Sequence, residues 1–288
     1  MSDNPQASSD SFFALDFGVL ALSGPDAVKF AHAQFMSDVA GLPPGHWHWS
    51  GWLTSKGRLI ALFALLKLDA DTVWLVLPDT DAVELGAQLR RFMFRSKLRI
   101  EAHGDLVTTG AFAAPAQASG AAIAGDIAHG IELDFSAEGG ARVVSIGHAQ
   151  VRADAAALAR WKRFDLEHGL PRPDAAQHGQ WTPQMLSLER LQAFSVKKGC
   201  YPGQEIVART HFLGQAKRGL ALLEADALLA PGDEVGDGTR AIGTVVSVSG
   251  SEAGSVALVV LPTERTGLAL SAGTTPLRER PLRGGLAR

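Results

Sequence analysis

Short apolar runs separated by turn residues dominate the first third of the chain. Three of these runs are rich in β-branched, aromatic or aliphatic residues, which is typical of strands: 46–52, 58–68 and 72–77. A helix is expected after Asp79 or Thr80, because apolar residues then recur near one helical face, and a further strand is expected over 97–101. The pattern therefore predicts a β-β-β-α-β segment.

Helical signals occur on both sides of this segment. Ser23-Gly-Pro-Asp26 combines a turn with a capping acid and predicts a helix over 27–39. Asp154 can cap a second helix that ends at Gly169. Thr182-Pro183 places proline in the favoured first turn of a third helix, which we expect to run to about Ala193.

The last quarter of the chain has a different pattern. After Gly214, short apolar runs alternate with glycine-containing or proline-containing turns at nearly even spacing. Such spacing predicts a small β-barrel of about 70 residues. The pattern as a whole predicts an α+β fold followed by an all-β domain.

Composition narrows the class of protein. The chain has 288 residues, of which 46% are hydrophobic and 20% charged, as in globular proteins with two or three domains. Its single cysteine, Cys200, cannot form an internal disulfide or hold a zinc ion or an iron-sulfur cluster alone, and it fits a reducing compartment. Because residues 1–10 contain acids and no apolar run, we expect no signal or transit peptide and a cytoplasmic location. The net charge of −3 gives no overall attraction to nucleic acid.

Most familiar enzyme signatures do not occur in the sequence, which lacks a P-loop, G-x-S-x-G and H-E-x-x-H. The formal dinucleotide match at 236–241 is interpreted as a hairpin turn, because a strand follows it instead of a helix. His46 and His48 share one face of a strand and Trp47 and Trp49 the other. Aromatic packing is favoured over a metal site here, since no third ligand lies nearby, and no metal is predicted.

A basic segment surrounds two aromatic residues, Phe92 and Phe94. Its five cations form a candidate surface for weak nucleic-acid contact: Arg90, Arg91, Arg95, Lys97 and Arg99. In the alternative interpretation the segment is a helix end, where the aromatic side chains turn inward and the cations sit in solvent near the negative end of the helix dipole.

The segment 197–209 is the most informative part of the sequence. Two glycines and a proline within five residues predict an irregular loop, and Cys200 lies in it beside two lysines, which favour the thiolate. A small buried, inert cysteine is the alternative. The amide, carboxylate and guanidinium groups of Gln204, Glu205 and Arg209 follow at once and suit a ring with several donors and acceptors.

This segment resembles the K-G-C-Y-x-G-Q-E signature of the YgfZ-type folate-binding family, relatives of the glycine-cleavage T-protein. Lys198, Cys200, Tyr201 and the following residues fit it position by position, and the resemblance extends over about 12–280. Further matching segments are Ser55-Lys-Gly-Arg58, Glu167-His-Gly-Leu-Pro171 and Trp181-Thr-Pro-Gln184. Two positions depart from the family pattern, Met36 for threonine and Ser187 for asparagine.

The resemblance implies a fold of ferredoxin-like α/β subdomains around a central folate cavity, with a small C-terminal β-barrel. The expected domains are 12–42 together with 112–215, an inserted 43–111 subdomain, and a barrel over 216–288. It also implies a protein that binds tetrahydrofolate, or a one-carbon derivative, and supports assembly or repair of iron-sulfur enzymes, including tRNA-modifying ones. Expected partners are therefore reduced folate and iron-sulfur client or carrier proteins, with no membrane.

The resemblance assigns roles to individual residues. Cys200 and Lys198 would be the reactive pair, and Glu167 would hold the pterin ring. The remaining expected folate contacts are Tyr201, Gln204, Glu205 and Arg209. Aminomethyl transfer of the T-protein type is an alternative, but the family's aspartates should follow the glycine at 57, and residues 58–68 contain no acid. An RNA-binding accessory protein is the third possibility.

Overall fold

A computed structural model describes residues 11–149, 151–214, 216–265, 267 and 269–288. The expectation about residues 1–10 therefore lies outside the described residues. The helices are α1 (Ala27–Gln34), α2 (Ala82–Arg90), α3 (Ala155–Glu167) and α4 (Gln204–Leu213), with 3-10 turns at Ala175–Gln177 and Leu188–Leu191. The strands are β1 (Phe13–Ala14), β2 (Gly18–Ser23), β3 (His46–Leu53), β4 (Leu59–Lys67), β5 (Thr72–Leu77), β6 (Arg99–Ala102), β7 (Val107–Ala111), β8 (Ala124–Asp126), β9 (Gly130–Asp134), β10 (Val143–Gly147), β11 (Arg218–Ala225), β12 (Glu234–Gly236), β13 (Ala241–Ser251), β14 (Gly254–Pro262), β15 (Leu270–Ala272) and β16 (Thr275–Arg280). Among the helices of these ranges, none has the length and apolar character to cross a membrane.

The first sheet is antiparallel with the order β3-β4-β5-β2-β6. Successive residues of β4 alternate between its two faces, so Phe63 and Leu65 pack with α1 and α2, while Ala64 and Leu66 face the central core. Both faces are therefore covered, and β4 reads as a continuous apolar run, as expected for a buried strand.

The second sheet has the order β1-β7-β10-β9-β8 and packs against α3. Trp161 of α3 is fully buried, with ring centroids 5.9 Å from Phe13 and 5.7 Å from Phe112. A Cβ atom at Gly110 would lie 2.9 Å from the Trp161 ring, so glycine allows the helix to approach β7 closely. The two sheets meet at Phe135, which stacks on Trp47 at 4.9 Å.

The third unit is a closed barrel with the strand order β11-β14-β13-β12-β15-β16. Its interior is filled by aliphatic side chains such as Leu223, Val245 and Val259. The barrel prediction is confirmed, and so is the mixed α/β class of the whole chain. The formal dinucleotide match is the turn between the antiparallel strands β12 and β13, as predicted.

The prediction of a helix from Thr182 to Ala193 is wrong. This segment forms turns and the short 3-10 turn Leu188–Leu191, which is bounded by Ser187 at φ 48° and Gln192 at φ 54°. The Ser187 hydroxyl accepts a hydrogen bond of 3.0 Å from the backbone N–H of Leu220 in the barrel. This tertiary contact holds the segment against β11, and the left-handed residues at both ends prevent helix continuation.

Strand pairing groups the chain differently from the expected domain division. That division placed residues 12–42 with 112–215, but β2 pairs with both β5 and β6 of the first sheet. Conversely, β7 lies within the expected 43–111 insertion and pairs with β1 and β10. The first sheet, β2 to β6, and the barrel, β11 to β16, are each contiguous in sequence, whereas the second sheet combines β1 with β7 to β10.

Candidate functional site

The loop that carries Cys200 begins at Ser195 and ends at Gly203. Ser195 anchors it, since the Ser195 backbone N–H donates to the Met36 carbonyl at 2.8 Å and its hydroxyl accepts from the backbone N–H groups of Lys197 and Lys198. The Tyr201 hydroxyl donates to the Ser195 carbonyl at 3.2 Å, which closes the loop on itself. The irregular loop predicted from the sequence is therefore present, and it is held by its own first residue.

Lys198 is buried beneath this loop, with 8% of its surface exposed. Its ammonium group donates to the carbonyl oxygens of His32, Phe35 at 2.5 Å and Ser37 at 3.0 Å. These carbonyls lie at the C-terminal end of α1 and just beyond it, where a cation is favoured by unpaired main-chain oxygens and the helix dipole. Burial lowers the pKa of Lys198 to about 8.

Cys200 is exposed, in contrast to Lys198 and Tyr201 of the same loop. Lys198 and Tyr201 are buried on either side of it, with the ammonium 4.8 Å from the tyrosine ring centroid. Burial also raises the pKa of Tyr201 to about 12, so this side chain stays a neutral phenol. The loop thus fixes inward-facing groups and presents the thiol outward, while the pairing of Cys200 with Lys198 as a reactive pair stays a prediction.

Two glycines fix the position of the loop against β3 and β4. Gly203 has φ 77°, and a Cβ atom there would lie 2.5 Å from the Gly57 Cα and 2.6 Å from the Thr54 carbonyl oxygen. Gly57 has φ 69° and approaches Gly203 from the turn between β3 and β4. The close backbone contact joins two of the family segments and requires glycine at 203.

Helix α4, which was not predicted from the sequence, begins at the end of the loop. The Gln204 amide donates to the Lys198 carbonyl at 3.0 Å, which ties the first turn of the helix to the loop. Glu205 and Arg209 are exposed on α4. The structure therefore brings together Lys198, Tyr201 and Gln204 of the predicted site residues.

A polar network lies behind Lys198, on the segment that follows α1. The Ser37 hydroxyl contacts Ser50 Oγ at 2.6 Å and His48 Nε2 at 2.8 Å. The buried Lys67 ammonium donates to the carbonyl oxygens of Val39 and Ala40. Burial lowers the pKa of His48 to about 4, so the imidazole is neutral near pH 7. Sequence reasoning missed this network, because it joins residues from three separate elements.

Glu167 lies at the end of α3, in a cavity of about 490 Å³. Its carboxylate pairs with Arg163 at 2.9 Å and with Arg283 at 3.4 Å. The cavity is lined by Glu138, Arg163, Glu167, Leu222, Glu224, Val256, Arg280, Pro281, Leu282 and Arg283. Barrel and C-terminal residues thus share the walls with α3, whereas no residue of 198–209 lines this cavity.

The tryptophans of β3 serve packing, as the sequence analysis favoured. Trp47 and Trp49 are at most 1% exposed, and both contact the Phe135 ring. The indole N–H of Trp49 donates to the Leu286 carbonyl at 2.7 Å, which fixes the C-terminal segment over the core. Within the described ranges, no group of three or more potential metal ligands is found.

The basic segment after α2 combines features of both interpretations, the exposed nucleic-acid surface and the helix end with packed aromatic side chains. Phe92 packs edge-on against Trp52 at 5.7 Å and is 41% exposed, whereas Phe94 is 92% exposed. The Arg90 guanidinium donates to the Ile100 carbonyl, while the other four cations are exposed: Arg91, Arg95, Lys97 and Arg99. The interpretation in which both aromatic side chains turn inward is wrong for Phe94.

Comparison with known proteins decides the family. No protein-family model matches the sequence. The tRNA-modifying protein YgfZ of Klebsiella pneumoniae (strain 342) is 30% identical over 257 residues, covering 81% of this chain and 78% of that protein. The chain belongs to the YgfZ family. The tRNA-modifying protein YgfZ of Photobacterium profundum is 27% identical over 285 residues, covering 86% of this chain and 82% of its own length.

The structural comparison extends the YgfZ family relationship to the T-protein fold. The glycine cleavage system aminomethyltransferase T from Bartonella henselae aligns with a TM-score of 0.70, covering 96% of this chain and 85% of that protein. The two sequences are 16% identical, so the comparison establishes a common fold. The resemblance stated from the 198–205 motif is therefore confirmed in family and in fold.

Proposed function

We propose that this YgfZ-family protein binds tetrahydrofolate and supports the assembly or repair of iron-sulfur enzymes, including tRNA-modifying ones, with Cys200 as its reactive thiol. The observation that carries the proposal is the exposure of Cys200 between two anchored residues of its loop, Lys198 and Tyr201. A buried cysteine would be inert, and an exposed one on a free chain end would have no defined position. Since an exposed thiol must stay reduced to act, we place the protein in the cytoplasm.

The cavity around Glu167 has a donor set that suits a reduced folate. Its volume falls within the range of about 300–1,000 Å³ found for small-molecule sites. The Glu167 carboxylate can accept hydrogen bonds from a pterin amino group and ring N–H, once it leaves its arginine partners. Arg280 and Arg283 can pair with glutamyl carboxylates, and Leu222 and Leu282 supply apolar wall.

Tetrahydrofolate, when bound, would supply a carrier for one-carbon units. The residues of this chain would orient it, with Glu167 setting the direction of the pterin ring. Tyr201, Gln204, Glu205 and Arg209 stay predicted folate contacts, because they lie on the loop and α4 and not in the walls of the Glu167 cavity. Their separate location makes the two groups of residues separately testable.

In this proposal an iron-sulfur cluster is bound transiently, as cargo, and is not a permanent cofactor of the protein. One thiolate can occupy a single coordination position of a cluster, and the other ligands must come from a client or carrier protein. The exposed position of Cys200 allows such a partner to approach. Glu205 and Arg209 are exposed on the following helix and can contact the same partner.

Calorimetric titration with tetrahydrofolate tests the cofactor. Glu167→Gln should bind roughly 10-fold to 100-fold more weakly than wild type, because a hydrogen bond to a charged group contributes about 1.5–3 kcal/mol. Asp226→Asn is the control and should keep wild-type affinity, since Asp226 is an exposed acid outside the residues that line the cavity. Equal affinities for wild type and Glu167→Gln would remove Glu167 from the folate site.

Complementation tests the thiol. In a strain that lacks its own homologue, the wild-type gene should restore the activities of iron-sulfur enzymes, and Cys200→Ser should not. Alkylation of Cys200 in the native protein, followed against pH and compared with Lys198→Ala, measures whether the thiol is reactive in the fold. A thiol that reacts only after denaturation, or full complementation by Cys200→Ser, would contradict its proposed role.

Aminomethyl transfer is the second candidate, because the fold is that of an aminomethyltransferase. The sequence argues against it, since residues 58–68 lie mostly in β4 and contain no carboxylate to assist transfer from the amine. In a reconstituted glycine-cleavage reaction, this protein in place of the T-protein should give no product above background. Robust turnover would overturn the assignment as an accessory protein.

A further inference from the structure

The segment that follows α2 holds an aromatic side chain in solvent. Phe94 is 92% exposed and has φ 44°, a left-handed conformation that bulky L residues rarely adopt. Glycine and asparagine adopt this conformation far more readily than phenylalanine. Neither packing nor backbone geometry therefore accounts for phenylalanine here, and recognition of a partner would.

Four cations of the same segment are free for a ligand. Arg90 is occupied, because its guanidinium donates twice to the Ile100 carbonyl, at 2.6 Å and 3.1 Å. The others are exposed, and among the described residues none of them forms an ion pair: Arg91, Arg95, Lys97 and Arg99.

Two acids lie close to the cations in the fold. Asp26 accepts a hydrogen bond from the Lys97 backbone N–H, and Glu101 lies two residues beyond Arg99 on β6. The segment nevertheless keeps an excess of positive charge. Because charges in salt solution are screened beyond about 8–10 Å, this local excess matters more than the overall charge of −3.

The basic segment shares its support with the Cys200 loop. Phe92 packs on Trp52, whose backbone pairs with Phe35 in an isolated bridge. The Phe35 carbonyl in turn accepts the hydrogen bond from Lys198. A ligand held at Phe94 would therefore bind to the same structural unit that positions the thiol.

We propose that Phe94 and the four free cations form a docking surface for RNA with unpaired bases, such as a loop of a transfer RNA. An exposed ring offers a stacking platform for one base, and the arginines and lysine can pair with the flanking phosphates. The choice of transfer RNA rests on the proposed function, whereas the affinity for unpaired RNA rests on the surface alone. A transfer RNA that is the substrate of a client enzyme would thereby be bound by the same protein that assembles or repairs that enzyme.

Fluorescence anisotropy with a labelled, unmodified tRNA transcript tests this surface. Phe94→Ala should weaken binding roughly 5-fold to 150-fold, since stacking contributes about 1–3 kcal/mol per base. Phe94→Trp should bind as wild type does, because it keeps the platform. Replacing Arg91, Arg95 and Arg99 together by alanine should reduce the slope of log affinity against log salt by roughly 2, at about 0.7 per cation.

Matched controls lie elsewhere on the surface. Phe212→Ala removes another exposed phenylalanine, and Arg240→Ala another exposed cation, and both should keep wild-type affinity. Equal RNA affinity for Phe94→Ala and wild type would overturn the proposal. The proposal would also be overturned if Phe94→Ala lost affinity for a purified iron-sulfur client protein but kept the wild-type affinity for RNA.

Folate binding distinguishes a failure of this RNA surface from a failure of the proposed function. Phe94→Ala should bind tetrahydrofolate as wild type does in the calorimetric titration, because Phe94 does not line the Glu167 cavity. If wild type bound RNA through Phe94 but bound no folate, the proposed function would fail and this surface would stand.

Discussion

The Lys198 ammonium donates a 2.5 Å hydrogen bond to the carbonyl oxygen of Phe35, a residue 163 positions earlier in the chain. It also bonds to the carbonyls of His32 and Ser37, so one side chain binds the end of α1. The lysine of the family motif therefore performs a structural task in addition to any chemical one. It connects the Cys200 loop to the first sheet.

Replacing Lys198 by methionine should destabilise the protein by roughly 2–4 kcal/mol, because three carbonyls lose a charged donor while the apolar stem is kept. Lys197→Met is the matched control. Its side chain is exposed, so stability should stay close to wild type. Urea unfolding of both variants measures the difference, and equal midpoints would show that the carbonyl contacts contribute little.

Gly203→Ala should be strongly destabilising, by roughly 3 kcal/mol or more, since its Cβ would lie 2.5 Å from the Gly57 Cα at a positive φ. Gly199→Ala, four residues earlier, is the control because no atom lies within 4 Å of its Cβ position. Thermal unfolding distinguishes the two. If both variants had melting temperatures close to that of wild type, the close approach of Gly203 to Gly57 would be refuted.

The lowered pKa of His48 predicts how the free energy of unfolding depends on pH. Burial lowers its pKa in the folded protein to about 4, against about 6.5 in an unfolded chain. Between these values the unfolded state binds the proton and the folded state does not, so stability falls as pH falls. From pH 7.5 to pH 5 the loss from this residue should be about 2 kcal/mol.

Urea unfolding at the two pH values checks this prediction. His48→Gln should remove that part of the loss, whereas His129→Gln, at an exposed position, should retain it. The pKa of His32 is also lowered by burial, so a smaller loss remains in both variants. An unchanged pH dependence in His48→Gln would contradict the assignment.

Asp165 should be essential for stability. Its buried carboxylate pairs with Arg142 at 2.7 Å and Arg172 at 3.0 Å, and Arg142 is itself fully buried. Asp165→Ala leaves the buried Arg142 without a carboxylate partner, while Arg172 keeps its pair with Asp79, and should cost roughly 3–5 kcal/mol.

The exposed pair between Asp226 and Arg278 offers the comparison for Asp165. Asp226→Ala should unfold close to wild type, because solvent screens an exposed pair. Denaturant curves for the two variants decide the point. Similar losses of stability would mean that burial does not set the strength of these ion pairs.

Elements whose signals are local were predicted well from the sequence. The strands β3, β4 and β5 follow the apolar runs closely, and Asp154 caps α3 as expected. The barrel follows from evenly spaced turns. In each case the pattern of side chains and turn residues agrees with the final environment, so local preference and fold coincide.

Tertiary contacts overrode the local signal elsewhere. The segment that opens with Thr182-Pro183 has a helix start, yet the contact of Ser187 with Leu220 holds it as turns. Helix α1 ends at Gln34 instead of Val39, and the residues beyond it are bound by Lys67 and Lys198. Lysines from distant strands and loops cannot be read from a local pattern.

The sequence by itself determined the family, the barrel and the 198–205 motif, because each depends on residue types at fixed spacing within a short stretch. Only the tertiary structure decided that Lys198 faces inward while Cys200 faces solvent, and that Glu167 lies in a separate cavity with Arg283. These relations join residues far apart in the chain. They depend on how sheets and helices pack, and side-chain direction in an irregular loop has no period from which it could be predicted.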